Sequence, residues 1–394
     1  MARLININAF REFVRSGQTG GLLLLLSVIV SLIIANSVFA PEFHHLLQFS
    51  FGIKSLHLQF SLETWINDAL MSVFFLLVGL EIKRELLEGE LSSFKKAALP
   101  IFAALGGMIM PAVIFSAINR GHTSGAGWGI PMATDIAFAL ALISMLGKKV
   151  PTSLKVFLAA LAIVDDLGAI IVIALFYTAS VNLTYLLYAG GIITFLFALN
   201  LLGVKNLVFY LIPGALLWYF IHGSGIHATI AGVLLAFTIP TNPVKETSSL
   251  ERLEHVLQNP VNFFIMPLFA LANTSIRFES SMLNGLTSPL GIGIILGLVL
   301  GKSLGISTFS FLAVKSGLSE LPARLSWKHI FGVSLLGGIG FTMSVFIALL
   351  SFKEPKMQTE AKFAILCASI LAGFLGFQYL NMLYRTRKEI HYTE

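Results

Sequence analysis

Charge is scarce in this chain. Only 12% of its 394 residues are Asp, Glu, Lys or Arg, while 56% are hydrophobic, against about 25% and about 45–50% in an ordinary soluble domain. That balance excludes a soluble fold. Cysteine is nearly missing as well: Cys367 stands alone within an apolar run, which excludes a disulfide framework or a cysteine metal site within one chain. Long polar stretches are also lacking. At roughly 20 apolar residues per helical span, the length accommodates about a dozen spans with short loops and no large extramembrane domain, so residues 1–394 read as one membrane domain. The net charge of +6 is spread in short clusters between apolar runs, with no continuous patch or tail for nucleic acid. The first apolar run, Gly20 to Ala35, leads into Asn36 and Ser37 without a small-residue cleavage pattern, and is expected to be retained as a span.

Apolar stretches bounded by charge, proline or glycine predict an all-α polytopic membrane protein of about twelve transmembrane helices: 15–36, 62–82, 97–118, 127–146, 152–177, 183–202, 206–221, 226–240, 256–275, 288–313, 329–351 and 360–384. This arrangement sorts the cations strongly. Nineteen Lys and Arg fall on the side that holds both termini, Arg3, Lys245 and Arg324 among them; six fall on the other, and Lys302 lies inside a span. The positive-inside rule then makes both termini cytoplasmic. Between the first two spans, the stretch around Phe51, Gly52, Ile53 and Lys54 alternates in places, which fits either a short periplasmic β-hairpin within 44–60 or an irregular loop. A hairpin edge there would offer a dimerisation surface.

Ionisable groups near a bilayer centre cost several kcal/mol, and usually face a cavity or a partner. Here they are few: Asp165 and Asp166 in the middle of the fifth span, Lys302 in the middle of the tenth, and Asp135 after Pro131 and Thr134 in the fourth. A purely structural pairing with Lys302 accounts for one aspartate, because one lysine neutralises only one of them. Neighbouring helix positions point about 100° apart, so both carboxylates can border a single cavity and exchange protons as a coupled unit. A site that holds either protons or a small hard cation on carboxylate oxygens is the minimum machinery for ion exchange.

Two spans carry breakers in their interiors. One is Gly127-Trp128-Gly129-Ile130-Pro131, the other Gly337-Gly338-Ile339-Gly340, and each resumes with Thr, three residues and Phe: Thr134 to Phe138 and Thr342 to Phe346. Breaks at corresponding places point to inverted-topology repeats with two interrupted crossing helices and a mid-membrane site. The repeats would be 97–177 and, inverted, 288–384. Helix ends exposed at that depth leave partial charges; Asp135 is placed to compensate the positive ends and Lys302 the negative ones. The glycines also fit a simpler role in close helix packing.

With these residues in view, the chain resembles the NhaA-type sodium/proton antiporters from about Gly20 to about Leu383. Its most specific stretches are Trp65 to Met71, Phe74 to Glu85, Ala133 to Phe138, Asp165 to Ala169, Gly225 to Thr229, Arg252 to Leu257 and Gly338 to Ser344. The resemblance implies a secondary transporter, not an enzyme, with no cofactor. It would exchange cytoplasmic sodium or lithium for external protons in the bacterial inner membrane, commonly as a homodimer within membrane lipid, electrogenically and faster at alkaline pH. By the same resemblance Asp166 is the main sodium and proton ligand, Asp165 its partner, Thr134 and Asp135 assist, and Lys302 pairs with Asp165 when sodium is absent.

A pH-responsive cytoplasmic cluster is implied at Glu81, Arg84, Glu85, Arg252, Glu254 and His255; without the family, a solvated loop face is the favoured explanation of these residues. Gln258 departs from members with a second histidine there, and His227, although it matches, also fits a hydrogen-bonded packing residue. An ion channel needs a polar path too, but adjacent aspartates opposite a lysine suit proton-coupled exchange better than a permanently open filter. An intramembrane aspartyl protease needs one aspartate on each of two facing helices, and Asp165 and Asp166 are neighbours on one.

Overall fold

The computed structural model describes residues 7–178, 181–241, 248–322 and 325–390, with side chains except at 7–18, 94, 148, 280–281 and 386–390. Arg3, Lys245 and Arg324 of the basic-side count lie outside the described residues. The chain forms two compact units: Met1–Leu22, Glu90–Ala169 and Phe278–Glu394 make the first, and Leu23–Gly89 with Ile170–Arg277 the second.

Among the described residues six helices are long and apolar enough to cross a membrane: Leu62–Leu87, Lys95–Ile118, Thr152–Phe176, Leu183–Leu201, Pro289–Lys315 and Pro355–Arg385. Three bent helix pairs raise the number to as many as nine. The chain is thus an all-α multi-pass membrane protein with one small sheet. Only 11% of the most apolar window of Leu183–Leu201 is buried; such an outward apolar face suits lipid and not water.

In the first unit the Phe94–Ile118 helix packs along the Lys302–Lys315 helix. Their backbones nearly touch, since a Cβ on Gly106 would stand 2.2 Å from the Gly305 carbonyl oxygen and one on Gly305 would stand 2.0 Å from that of Gly106. Only glycine at both positions permits that approach. A wider π-helical turn, Gly297–Gly301, runs directly into Lys302, re-aiming the residues that follow it. Both expected interruptions are present. Thr123–Met132, wound in tight three-residue turns, and Ile136–Met145 meet at 45°; Trp327–Gly337 and Phe341–Ser351 meet at 46°. Proline and clustered glycine release the backbone there.

The second unit packs Met71–Leu87 on Ile230–Thr238 around a core of Leu76, Leu80, Leu196, Tyr210, Leu217 and Leu235. Its two-stranded antiparallel hairpin, Ser50–Ile53 with Leu58–Ser61, pairs Ser50 with Ser61 and Phe51 with Phe60. The indole of Trp65 donates to the Phe51 carbonyl (3.2 Å) and its ring stacks on Trp218 (6.0 Å), which ties the hairpin to the helices beneath. Residues 44–48, at the start of the stretch that could hold the hairpin, finish the Ala40–Gln48 helix, bent by 114° from the helix before it. The stretch expected to span at 226–240 is the nine-residue helix Ile230–Thr238, about 14 Å of rise against a hydrocarbon core of about 30 Å. Gly225, just before that stretch, takes a positive φ of 83°, where the preceding Val208–Gly223 helix has ended. The expected 256–275 span is likewise compound: Ser249–Pro260, a π-helical turn Val261–Ile265 and Met266–Asn273.

Candidate functional site

Breaking two helices inside one unit strands backbone groups that water cannot reach, and each must find a partner. The two interruptions satisfy one another. The backbone N–H of Asp135 donates to the Ile339 carbonyl (2.6 Å), Thr134 Oγ1 donates to the Gly337 carbonyl (2.9 Å), and Ser344 Oγ donates to the Ile130 carbonyl (2.7 Å).

Asp135 serves both resuming helices. Its Oδ1 accepts the Phe138 N–H (3.1 Å), capping Ile136–Met145, while its Oδ2 accepts the N–H (3.0 Å) and the hydroxyl (2.5 Å) of Thr342 at the start of Phe341–Ser351. A single carboxylate therefore accepts hydrogen bonds from the first turns of two helices. Thr342 had been visible only as a repeat marker; the signal that it binds Asp135 was its equivalence to Thr134.

Beside this junction stands the charged centre. Lys302 Nζ lies 2.5 Å from Asp165 Oδ2 and 2.9 Å from Thr134 Oγ1, and the side chains of Lys302 and Asp165 are both 0% exposed. Thr134 Oγ1 also lies 2.7 Å from Asp165 Oδ2. Because a hydroxyl has one hydrogen, Asp165 and the Gly337 carbonyl compete for it. Lys302 reaches that terminal carbonyl through Thr134, which gives the negative helix end its cation at one remove. Asp165 Oδ1 has no hydrogen-bond partner among the described residues. Asp166 follows on the same helix, 3% exposed. Thr134, Asp135, Asp165, Asp166 and Lys302 all belong to the first unit and are all buried. Among the described residues no set of three or more His, Cys, Asp or Glu side chains forms a resident metal site.

The residues singled out for pH response lie in the second unit. Arg84 Nε donates to both oxygens of Glu254 (2.9 and 3.1 Å), and Arg84 Nη1 lies 2.9 Å from Glu85 Oε1. Glu81 is buried one turn before them on the same helix. Burial holds the Glu254 carboxyl above the ordinary Glu range, with Glu85 and Glu251 pushing the same way while Arg84 opposes them. Arg252 and His255 are exposed on the Ser249–Pro260 helix and make no ion pair with a described residue, so four of the six converge and two stand apart. Sequence reasoning missed Lys83, whose ammonium donates to the Phe237 (2.8 Å) and Ile239 (2.5 Å) carbonyls at the end of Ile230–Thr238. It also missed the Asn67–Asn273 amide pair (2.7 and 3.2 Å).

Ionisable groups enclosed among apolar helices, at paired helix breaks, define a polytopic membrane protein of the transporter class. The chain belongs to the Na+/H+ antiporter 1 family, whose model matches residues 11–380; members are secondary transporters, not enzymes. It is similar to the Na(+)/H(+) antiporter NhaA 2 of Flavobacterium johnsoniae, 60% identical over 392 residues that cover 99% of this chain and 96% of that protein. The Na(+)/H(+) antiporter NhaA of Flavobacterium psychrophilum is 52% identical, covering 93% of this chain and 94% of that one. That of Bordetella parapertussis is 48% identical, over 95% and 96% respectively.

Proposed function

We propose that this chain exchanges cytoplasmic sodium or lithium for external protons, electrogenically and under pH control, and so serves sodium and pH homeostasis. The observation that carries the reading is the buried Lys302–Asp165–Thr134 cluster set against two interlocked helix breaks. A buried ammonium and a buried carboxylate tolerate one another only as a pair. A sodium ion arriving from the cytoplasm at Asp166 and Asp165 takes over the role of the ammonium, with the Thr134 oxygen assisting and Asp135 holding the helix ends in balance. The protons carried by the cluster then leave to the cytoplasm. Opened to the outside, the same groups regain protons and sodium departs. More protons than sodium ions move per cycle, which makes the cycle electrogenic.

The architecture that suits this cycle has twelve spans, one transport domain over 1–394 and inverted repeats at 97–177 and 288–384, with both termini cytoplasmic in the bacterial inner membrane. Gathering of 90–169 and 278–394 into one compact unit supports that pairing of repeats. The exposed hairpin supports a homodimer in membrane lipid, and the Glu81, Arg84, Glu85 and Glu254 group, with Arg252 and His255 beside it in sequence, supports pH control. Purified protein in liposomes holding a trapped pH dye tests the core of this reading. A sodium pulse must move protons the opposite way, and an imposed voltage must drive sodium flux without a pH gradient. Sodium flux that continues without proton counterflow would mean a channel instead.

A further inference from the structure

The two interrupted helices exchange hydroxyl groups, but unequally. The Gly337 carbonyl, at the end of Trp327–Gly337, receives Thr134, whose one hydrogen is also within reach of Asp165. The Ile130 carbonyl, in the last turn of Thr123–Met132, receives Ser344 Oγ at 2.7 Å, and that hydroxyl has no other acceptor among the described residues. Ser344 and Ile130 are both 0% exposed, so water cannot replace the bond. Room for the hydroxyl depends on Gly340: a Cβ there would stand 2.2 Å from Ser344 Oγ. Ser344 has no counterpart in the local repeat, since the residue two beyond Thr134 is Ile136 where the residue two beyond Thr342 is Ser344.

From this geometry we infer that Ser344 is a positioning residue of the ion site. Its hydroxyl quenches the negative end of the first half-helix and keeps that partial charge from acting on the cations at the site. The inference rests on the reading of Asp165 and Asp166 as the exchange site. The buried charged groups of the site itself are Asp135, Asp165, Asp166 and Lys302. The other elements packed around the second interrupted pair add little. The 97–118 and 363–384 stretches carry no charged residue, and Lys328 and His329 stand at the far end of Trp327–Gly337. Without the Ser344 hydroxyl, the unsatisfied carbonyl end holds positive charge, protons included, more tightly.

The test compares Ser344→Ala and Ser344→Thr with the parent and with Asp166→Asn, all as purified full-length protein in liposomes. Losing one neutral hydrogen bond is worth roughly a two- to tenfold change in an equilibrium. Ser344→Ala should therefore move the pH midpoint of exchange to the alkaline side by about half a unit, and raise the apparent sodium KM about threefold below the midpoint, where protons compete. Ser344→Thr, which keeps the hydroxyl, should restore the parent profile. A purely structural role would lower the maximum rate while leaving the midpoint and sodium KM in place. That outcome overturns the inference, as does an alkaline shift that Ser344→Thr fails to reverse. Should Ser344→Ala lower protein yield, the midpoint of the material that inserts still decides. Asp166→Asn separates the two ideas: if it still exchanges, the site reading itself has failed, whereas if it is inactive and Ser344→Ala matches the parent, only the role of Ser344 has.

Discussion

The molecule carries two charge centres, one in each unit, built from the same carboxylates and cations under opposite conditions. In Lys302–Asp165 both side chains are 0% exposed; in Arg84–Glu254 they are 32% and 9% exposed, and Glu85 and Glu251 add further negative charge nearby. The first centre has no way to discharge except by exchanging its partner, because neither ion can be left alone in an apolar interior. The second is only partly enclosed: Glu254 is nearly buried while Arg84 keeps about a third of its side chain in solvent, where water and salt screen that end of the pair. Enclosure suits a site that must be all-or-none, and a rim suits one that adjusts.

The largest effect expected from this contrast is at Asp166. Asp166→Asn keeps nearly the same shape and removes the charge proposed to alternate between sodium and proton, so exchange should fall to the level of empty liposomes while the melting temperature stays close to the parent. Near-parent exchange in this variant would break the mechanism at its centre.

Next in size are the two halves of the buried pair. Asp165→Asn or Lys302→Ala leaves the other ion without its partner, at a cost of about 3–5 kcal/mol. The double variant Asp165→Asn with Lys302→Met should melt higher than Asp165→Asn alone, because it leaves no orphaned ion. If the single variants are instead additive in the double, the pair is not the enclosed unit described.

A smaller loss is expected at Thr342. Thr342→Val keeps the volume but removes the hydroxyl that Asp135 accepts, and hydrogen bonds to a charged group contribute about 1.5–3 kcal/mol. Thr342→Ser should melt near the parent; equal melting of the valine and serine variants would deny the bond any weight.

The smallest effect, and the one that depends on pH, is at Glu254. Its carboxyl is raised above the ordinary value, chiefly by burial, so the fold favours the neutral form. The stability this gives is complete below the ordinary Glu value of 4.5 and is lost as pH rises through the raised folded value. Glu254→Gln removes that loss. Its melting temperature relative to the parent should thus rise across that interval and level off above it, and the pH dependence of exchange should shift more than the maximum rate. A difference that is flat with pH would sharpen the contrast the other way, making Glu254 a plain partner of Arg84.

The membrane class and the places where helices break were legible in the sequence because they depend on local properties. Apolar length decides whether a helix can cross, and Gly127, Gly129, Pro131 and Gly337, Gly338, Gly340 are poor helix formers clustered at or just ahead of the two breaks. The charged candidates were legible for the same reason, since Asp165, Asp166 and Lys302 stand out in apolar runs. Element bounds were less legible: within 226–240 helix forms only over Ile230–Thr238, and residues 44–48 complete a helix before the hairpin begins.

Hydrogen-bond partners were another matter. Ser344 reaches Ile130 across 214 positions, Thr342 reaches Asp135 across 207, and Asn67 reaches Asn273 across 206. A polar side chain in an apolar run announces that it needs a partner, because an unsatisfied one is costly there. Which partner it gets is decided by the packing that brings distant segments side by side, so the sequence determined where polar groups had to be satisfied and the tertiary structure alone decided by whom.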